Sequence, residues 1–308
     1  MGNTAEGSTS MARTDIVVGT DGTMAGAAAV RWAAAEAARR NVLLRIVHCF
    51  DWDHDSYRHG CSSDSARAAQ AMADAVTTAA LHQARAVAPG IWLEADAMIG
   101  DPASHLIELS DAVALVVVGS RERGDLAALI LGSVSRRVAV HASCPVTVVR
   151  GRRDVREAPI AVGVDLSPRG EMVLQRAYEL AELRGCDLRV VHSYTPVISP
   201  WVGTMSTTAV PARLLDEAEE DRLHALLAPW QDKYPQVGTT VCLTRRPPAS
   251  ALTLASKRAG LLVVGSHGHG AVSGTLLGST SLHLLHHADC PVTVVHTRVA
   301  QLQEGSRR

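Results

Sequence analysis

A glycine-rich segment with interleaved hydroxyl and imidazole side chains, Gly265–Thr280, is the part of this sequence best suited to binding phosphate. It follows a short apolar run, Leu261–Val264, and precedes a helical pattern, so a buried strand is predicted to lead through a loop into a helix. Free backbone N–H groups and the helix dipole favour anions at such a junction. Glycine lets the backbone approach a ligand closely. Ser279 and Thr280 add hydroxyl groups at the predicted start of the helix.

The spacing of the glycines excludes two common phosphate-binding motifs. No Gly-Lys-Ser/Thr step closes the segment as in a P-loop, and the pattern is not the GxGxxG of a dinucleotide fold. Two residues separate Gly265 from Gly268, and nine separate Gly268 from Gly278. A tight strand-to-helix turn without a ligand is the alternative interpretation. The predicted site in this segment comprises Gly265, Ser266, His267, Gly268, His269, Gly270, Gly278, Ser279 and Thr280.

Other constellations of reactive side chains do not match a known type of site. Asp51, Asp53 and Asp55 alternate as in a calcium loop, but the glycine and the final glutamate of an EF-hand are absent. His283 and His287 lie four residues apart without the HExxH pattern of a zinc site. No Gly-x-Ser-x-Gly elbow and no CxxC pair is present. We therefore assign no catalytic residue and no metal ligand from the sequence.

Length and composition limit the class of protein. A chain of 308 residues suffices for about two domains. Apolar residues make up 47% and aromatic residues only 3%, so small aliphatic side chains must fill the cores. A net charge of −1 gives no field that would attract nucleic acid or an anionic membrane. No apolar run reaches the roughly 18 residues of a membrane helix, and the N-terminus does not resemble a signal peptide, so we expect a cytoplasmic location.

The chain consists of two similar halves. Apolar, β-branched strand patterns alternate with helical patterns, which predicts an α/β fold with parallel sheets covered on both faces. Asp21 recurs 144 residues later as Asp165, and the Cys-Pro-Val-Thr-Val-Val strand that begins at Cys144 recurs 146 residues later at Cys290. We interpret this repeat as a tandem duplication. The predicted boundaries are a disordered leader at 1–14, a first domain at 15–150, a linker at 151–158, a second domain at 159–296 and a flexible tail at 297–308.

With an Asp after the first strand, a Val-His at the second, the glycine motif and the terminal Cys-Pro-Val strand, each half resembles a universal stress protein domain of the ATP-binding branch. The layout is similar to that of tandem members from mycobacteria. The resemblance implies a fold of two tandem, doubly wound, parallel five-stranded sheets of strand order 3-2-1-4-5, the adenine nucleotide alpha-hydrolase-like fold. The ligand would lie where the strand order reverses.

The resemblance also implies which residues meet ATP. The Asp after the first strand lies beside the ribose and phosphates, and the residue after the second-strand His contacts adenine through its backbone. In the second half these residues are Gly163, Asp165 and Ser193, together with the Gly265–Thr280 positions given above. In the first half they are Gly19, Asp21, Cys49, Gly119, Gly124, Gly132, Ser133 and Val134.

The first half departs from the family pattern at one position. Glu122 stands where the second glycine of the motif is expected, with nine residues between it and Gly132. A carboxylate about 4 Å from a phosphate costs on the order of 1 to 4 kcal/mol. Neighbouring Arg121 and Arg123 would offset part of that repulsion. We predict that the second half binds ATP firmly and that the first half binds it weakly or not at all.

The resemblance implies an ATP-binding sensor or regulator, with Mg²⁺, that acts in stress or dormancy. It also implies a homodimer of tandem chains and a protein partner that the sequence does not identify. Slow ATP hydrolysis is one alternative, for which Asp165 is the nearest candidate base. A scaffold that works through dimer contacts without nucleotide is the other.

Overall fold

The protein is described by a computed structural model that covers residues 14–50, 63–120, 131–151, 158–195, 212–268 and 277–296. The chain divides into two compact units, Met1–Val149 and Arg150–Arg308. Each unit is built from alternating strands and helices. Among the described residues no helix is both long and apolar enough to cross a bilayer.

The first unit contains a parallel sheet with strand order β3-β2-β1-β4-β5. The order reverses between β1 and β4, so the carboxyl ends of these strands diverge around a crevice. Its strands are β1 (Ile16–Gly19), β2 (Leu44–Phe50), β3 (Leu93–Ile99), β4 (Leu115–Gly119) and β5 (Val146–Val149). Its helices are α1 (Met24–Arg40), α2 (Ser63–Val87), α3 (Pro102–Leu109) and α4 (Ser133–His141).

The second unit repeats this topology, with strand order β8-β7-β6-β9-β10. Its strands are β6 (Ile160–Val164), β7 (Leu188–Ser193), β8 (Thr239–Thr244), β9 (Leu261–Gly265) and β10 (Val292–Val295). Its helices are α5 (Pro168–Arg184), α6 (Ala212–Lys233), α7 (Pro248–Ser256) and α8 (Ser279–His287). The predicted strand order 3-2-1-4-5 is therefore confirmed in both units.

Local sequence explains where the first helix of each unit begins and ends. The side chains of Thr23 and Ser167 cap α1 and α5 by accepting hydrogen bonds from the backbone N–H of Gly26 and Gly170, at 3.3 and 3.2 Å. Each helix ends at a residue in the left-handed region, Asn41 with φ of 53° and Gly185 with φ of 60°. The repeat thus preserves both ends of this helix, and the same kind of N-cap follows the first strand of each unit.

The cores differ in the size of their side chains. Alanine dominates the buried face of α1, as the composition predicts. In the second unit Tyr178 of α5 is fully buried, with ring centroids 6.3 Å from Trp230 and 5.6 Å from Tyr234. Helix α6 continues through Pro229 to Lys233. The aromatic stack holds the last turn of α6 against α5 despite the proline.

Candidate functional site

A cavity of about 1120 Å³ lies in the second unit, at the carboxyl ends of β6, β7 and β9. This is the edge where the strand order reverses and where open α/β sheets bind ligands. Most residues that the sequence predicts for the second-half site line this one cavity. They are Gly163, Asp165, Ser193, Gly265, His267, Gly268, Gly278, Ser279 and Thr280. The structure therefore brings together residues from four separate segments of the chain.

The phosphate-binding end of the cavity is the junction between β9 and α8. The backbone N–H of Gly278 donates to the carbonyl of Ser266 at 2.6 Å, which closes the loop onto the end of the strand. Ser266 is buried, and its hydroxyl lies 3.1 Å from Nδ1 of His267. Helix α8 then begins with Gly278 as its N-cap, and no side chain caps this end among the described residues. The first turn of the helix presents its N–H groups and its positive dipole to the cavity.

Two glycines at this end leave space that the described residues do not fill. A Cβ at Gly278 would come no closer than 3.4 Å to any atom of these residues, and a Cβ at Gly268 would meet only Oδ2 of Asp165 among them, at 3.7 Å. Gly278 has φ of −69°, which any residue adopts. Neither packing nor backbone conformation requires glycine at position 278. The open space suits the close approach of a ligand.

The glycine at the end of β6 has a different explanation. A Cβ at Gly163 would lie 2.7 Å from Cδ1 of Leu252 on α7, and a Cβ at Gly19 would meet Leu106 on α3 at the same distance. Both glycines thus allow a helix to pack closely against the first strand of its sheet. Gly163 also lines the cavity, and Leu252 forms part of its apolar wall.

Asp165 places one carboxylate oxygen at the cavity without a partner. Its Oδ1 accepts a hydrogen bond from the hydroxyl of Ser167 at 2.5 Å, which fixes the side chain in the turn after β6. Its Oδ2 is buried and has no hydrogen-bond partner in the described parts of the chain. A buried carboxylate oxygen without a donor is costly, and a bound hydroxyl group or cation would satisfy it.

The end of β7 supplies the opposite wall. His192 is 4% exposed, and its Nδ1 lies 2.9 Å from the carbonyl oxygen of Val164 on the neighbouring strand. Ser193 follows it and donates its hydroxyl to the carbonyl of Arg246 at 2.5 Å. Because this bond engages the side chain, the backbone of Ser193 is what the strand end offers to a ligand.

The structure adds cavity residues that our sequence reasoning missed. Ser281 is buried in the first turn of α8, and its hydroxyl donates to the carbonyl of Gly265 at 2.6 Å. Ser135 makes the same bond to Gly119 in the first unit, so the 146-residue repeat contained a signal for it. Glu219 and Arg222 of α6 also line the cavity. No motif in the sequence marks them.

Helix α6 forms a charged part of the wall. Oε1 of Glu219 lies 3.0 Å from Nε2 of His192, and its Oε2 accepts from Nη1 of Arg222 at 3.1 Å. Burial raises the pKa of Glu219, but the hydrogen bonds from His192 and Arg222 outweigh burial and bring the pKa below its ordinary value. Glu219 is therefore ionised in this setting.

The predicted residues of the first half lie at the equivalent edge of its own sheet. Gly19 ends β1, Cys49 lies near the end of β2, and Gly119 ends β4. Gly132 is the N-cap of α4, and Ser133 and Val134 are its first two residues. Asp21 is exposed in the turn after β1, where its Oδ1 accepts from the hydroxyl of Thr23 at 2.6 Å.

Cys49 differs chemically from Ser193, its counterpart in the second half. Burial, with a smaller contribution from the negative charge of Asp101, raises the pKa of the Cys49 thiol to about 11. The thiol is therefore neutral and unreactive at physiological pH. This leaves only the backbone of Cys49 for the adenine contact that we predict.

Three predicted site residues, Gly124, His269 and Gly270, lie outside the described residues, as does Glu122. Within the described ranges no cluster of three or more His, Cys, Asp or Glu side chains could hold a metal ion.

Comparison with known proteins identifies relatives across the whole chain. Residues 13–150 and 158–296 each match the model of the Universal stress protein family. A universal stress protein of Mycobacterium tuberculosis is 34% identical over 291 residues, which is 91% of this chain and 96% of the relative. One from Mycolicibacterium smegmatis is 34% identical over 92% of this chain and 97% of its own length. The crystal structure of a universal stress protein from Archaeoglobus fulgidus shares the fold, with a TM-score of 0.64 and 19% identity over 92% of this chain and 98% of that one.

Proposed function

Because this chain belongs to the universal stress protein family and carries two copies of its domain, we propose that its second half binds ATP in the cavity between β6, β7 and β9. The single observation that carries this proposal is the junction at Gly278. It combines an uncapped helix N-terminus with a glycine whose missing side chain leaves room for a ligand. Phosphate groups match that combination of positive dipole, free N–H groups and open space.

The other walls of the cavity fit the remaining parts of a nucleotide. Val191, Leu252 and the backbone of Ser193 offer an apolar slot with polar backbone groups at its edge, which suits a purine. Asp165 offers the unpartnered Oδ2, which would accept a hydrogen bond from a ribose hydroxyl. The volume of about 1120 Å³ accommodates a nucleotide triphosphate.

ATP would bring Mg²⁺ with it. Magnesium favours oxygen ligands and retains several waters, so phosphate oxygens can hold it with little help from the protein. The described residues contain no cluster of three or more metal-binding side chains, which agrees with such an arrangement. The chain's own contribution would then be to orient the phosphates at the start of α8.

The biological role that we propose is that of a nucleotide-dependent sensor or regulator in a stress or dormancy response. The bound state would shape the surface around the nucleotide that the chain presents to a partner protein. We also propose that the tandem chain forms a homodimer, which light scattering tests directly. A slow ATP hydrolase and a scaffold that works without nucleotide are the alternatives.

Nucleotide content tests the proposed function. Freshly purified protein is precipitated with acid, and the released compounds are separated by chromatography. Protein from which nucleotide has been removed is then titrated with ATP, with GTP as the control for base selectivity. We expect adenine nucleotide in the first experiment and tighter binding of ATP than of GTP in the second. Absence of both nucleotide and binding would favour the scaffold, and steady formation of ADP would favour the hydrolase.

A further inference from the structure

The contact between His192 and Glu219 requires one proton more than a neutral imidazole and a carboxylate carry together. Nδ1 of His192 lies 2.9 Å from the carbonyl oxygen of Val164, which can only accept, so Nδ1 carries a hydrogen. Nε2 lies 3.0 Å from Oε1 of Glu219. A neutral imidazole and a carboxylate would place two lone pairs face to face at this distance. One shared proton resolves that conflict.

The proton belongs on the imidazole. The other oxygen of Glu219 accepts a hydrogen bond from Nη1 of Arg222, and this contact favours the ionised carboxylate. The lowered pKa of Glu219 agrees with this assignment. The resulting imidazolium–carboxylate pair is nearly enclosed, with side-chain exposures of 5% for His192 and 15% for Glu219. Little water therefore reaches the pair, so hydration compensates for little of this interaction when the proton is lost.

This pair joins one wall of the cavity to the sheet. His192 belongs to β7 and Glu219 to α6, and both line the cavity together with Leu215, Ala218 and Arg222 of the same helix. Loss of the proton would remove this tie between α6 and β7. It would also remove one positive charge from a cavity that already contains the carboxylates of Glu219 and Asp165. Both effects oppose the binding of an anion.

The other charged groups nearby form a separate contact between β7 and α6. Tyr194 of β7 donates to Asp216 of α6, and Asp216 also forms an ion pair with Arg245, at 2.8 Å. That second tie lies nearer the start of α6. The described titratable and charged groups that line the cavity with the pair are Asp165, Tyr194, Arg222 and His267, and Asp216 and Arg245 lie beside Tyr194.

Among its described residues, the first unit has no acidic side chain at the helix position that matches Glu219. His48 makes the same bond to its neighbouring strand, with Nδ1 2.9 Å from the carbonyl oxygen of Thr20. Glu219 lies four residues before Leu223, the first buried residue described in α6. The matching position in α2, four residues before Ala73, is Ala69. Alanine cannot share a proton, so this feature distinguishes the second unit.

We propose that His192 and Glu219 form a proton-dependent latch, which holds α6 over the cavity and makes binding of the anionic nucleotide weaken as the pH rises. Glu219 is a positioning residue in this scheme. The effect of the latch on nucleotide binding rests on the proposed function, whereas the shared proton is a property of the ligand-free protein.

The test compares wild-type protein with Glu219→Gln. The amide of glutamine can donate to a neutral Nε2 and accept from Arg222, so this variant keeps both contacts without the extra proton. ATP affinity is measured by calorimetry from about pH 6.5 to about pH 9, and the ligand's own ionisation affects both proteins equally. We expect wild-type affinity to fall about tenfold more than that of the variant across this range. Parallel profiles would overturn the proposal.

A second measurement examines the proton directly. The ¹⁵N chemical shifts of the His192 ring are recorded in ligand-free protein at about pH 7.5, where a free imidazole is mostly neutral. We expect a doubly protonated ring in the wild type and a singly protonated ring in Glu219→Gln. A singly protonated ring in the wild type would contradict the latch. If neither protein binds ATP at any pH, the proposed function fails and the ring protonation still decides whether the latch exists.

Discussion

At the scale of single residues, the two halves differ in the aspartate that follows their first strand. Asp165 has a buried Oδ2 without a hydrogen-bond partner among the described residues, whereas Asp21 is exposed. The residue type repeats, but its environment does not. An unpartnered buried acceptor is the kind of group that a ligand hydroxyl would satisfy.

We therefore expect Asp165→Asn to weaken ATP binding about ten- to a hundredfold. Hydrogen bonds to a charged group contribute about 1.5 to 3 kcal/mol, and each 1.4 kcal/mol changes affinity about tenfold. The asparagine oxygen retains the acceptor for the Ser167 hydroxyl, so the turn after β6 should persist. Calorimetric titration measures the effect, and Asp21→Asn is the matched control. Equal losses in both variants would contradict our assignment of the site to the second half.

The sequence predicted the residues with a recognisable motif and missed those without one. Gly268 and Gly278 were predicted because their type and spacing carry a chemical pattern, and Asp165 was predicted from the family resemblance. Glu219 was not, because its significance depends on how α6 lies beside β7 after a segment that is longer than its counterpart in the first half. Which side chain of a helix meets a histidine on a strand is decided by packing, and spacing alone does not encode it.

At the scale of secondary structure, the first turn of the last helix is fixed to the preceding strand by a buried serine. Ser281 bonds the carbonyl of Gly265 at the end of β9, and Ser135 bonds Gly119 at the end of β4, both at 2.6 Å. This bond sets the position of the helix N-terminus relative to the sheet edge. A displacement of the helix N-terminus would therefore change its contacts with a bound phosphate.

We expect Ser281→Ala to reduce the free energy of unfolding of the second unit by about 1 kcal/mol, since a hydrogen bond is lost. That corresponds to a fall in melting temperature of about 2 to 4 °C. ATP affinity should also fall, by about threefold or more, because the helix start is less firmly held. Ser135→Ala is the control, and we expect a similar loss of stability without a change in ATP affinity. Calorimetry measures both quantities, and an unchanged affinity in Ser281→Ala would contradict a phosphate site at this turn.

Most elements were predictable because their signals are local. Runs of buried Val, Ile and Leu mark the strands, and the caps Thr23 and Ser167 mark two helix starts. The end of α6 was not predictable in this way. Pro229 is a local signal for termination, and the contacts of Trp230 and Tyr234 with Tyr178 override it. Strand order 3-2-1-4-5 followed from the family resemblance and not from any local pattern.

At the scale of the whole molecule, duplication has kept the fold and changed the chemistry of each half. The first unit has an exposed Asp21, a neutral Cys49 thiol and Ala69 at the helix position that matches Glu219. The second has Asp165, Ser193 and Glu219 at the corresponding places. Glu122 adds a carboxylate to the first-half motif in the sequence. These differences support one firm nucleotide site in each chain.

The stoichiometry of ATP binding in a matched pair of variants tests this account most directly. Gly278→Glu places a carboxylate at the start of α8, where the structure leaves room for a Cβ, and Gly132→Glu makes the same change 146 residues earlier. We predict about one ATP per chain in the wild type and in Gly132→Glu, and no binding in Gly278→Glu. Two equal sites in the wild type, or loss of binding in Gly132→Glu alone, would contradict the account.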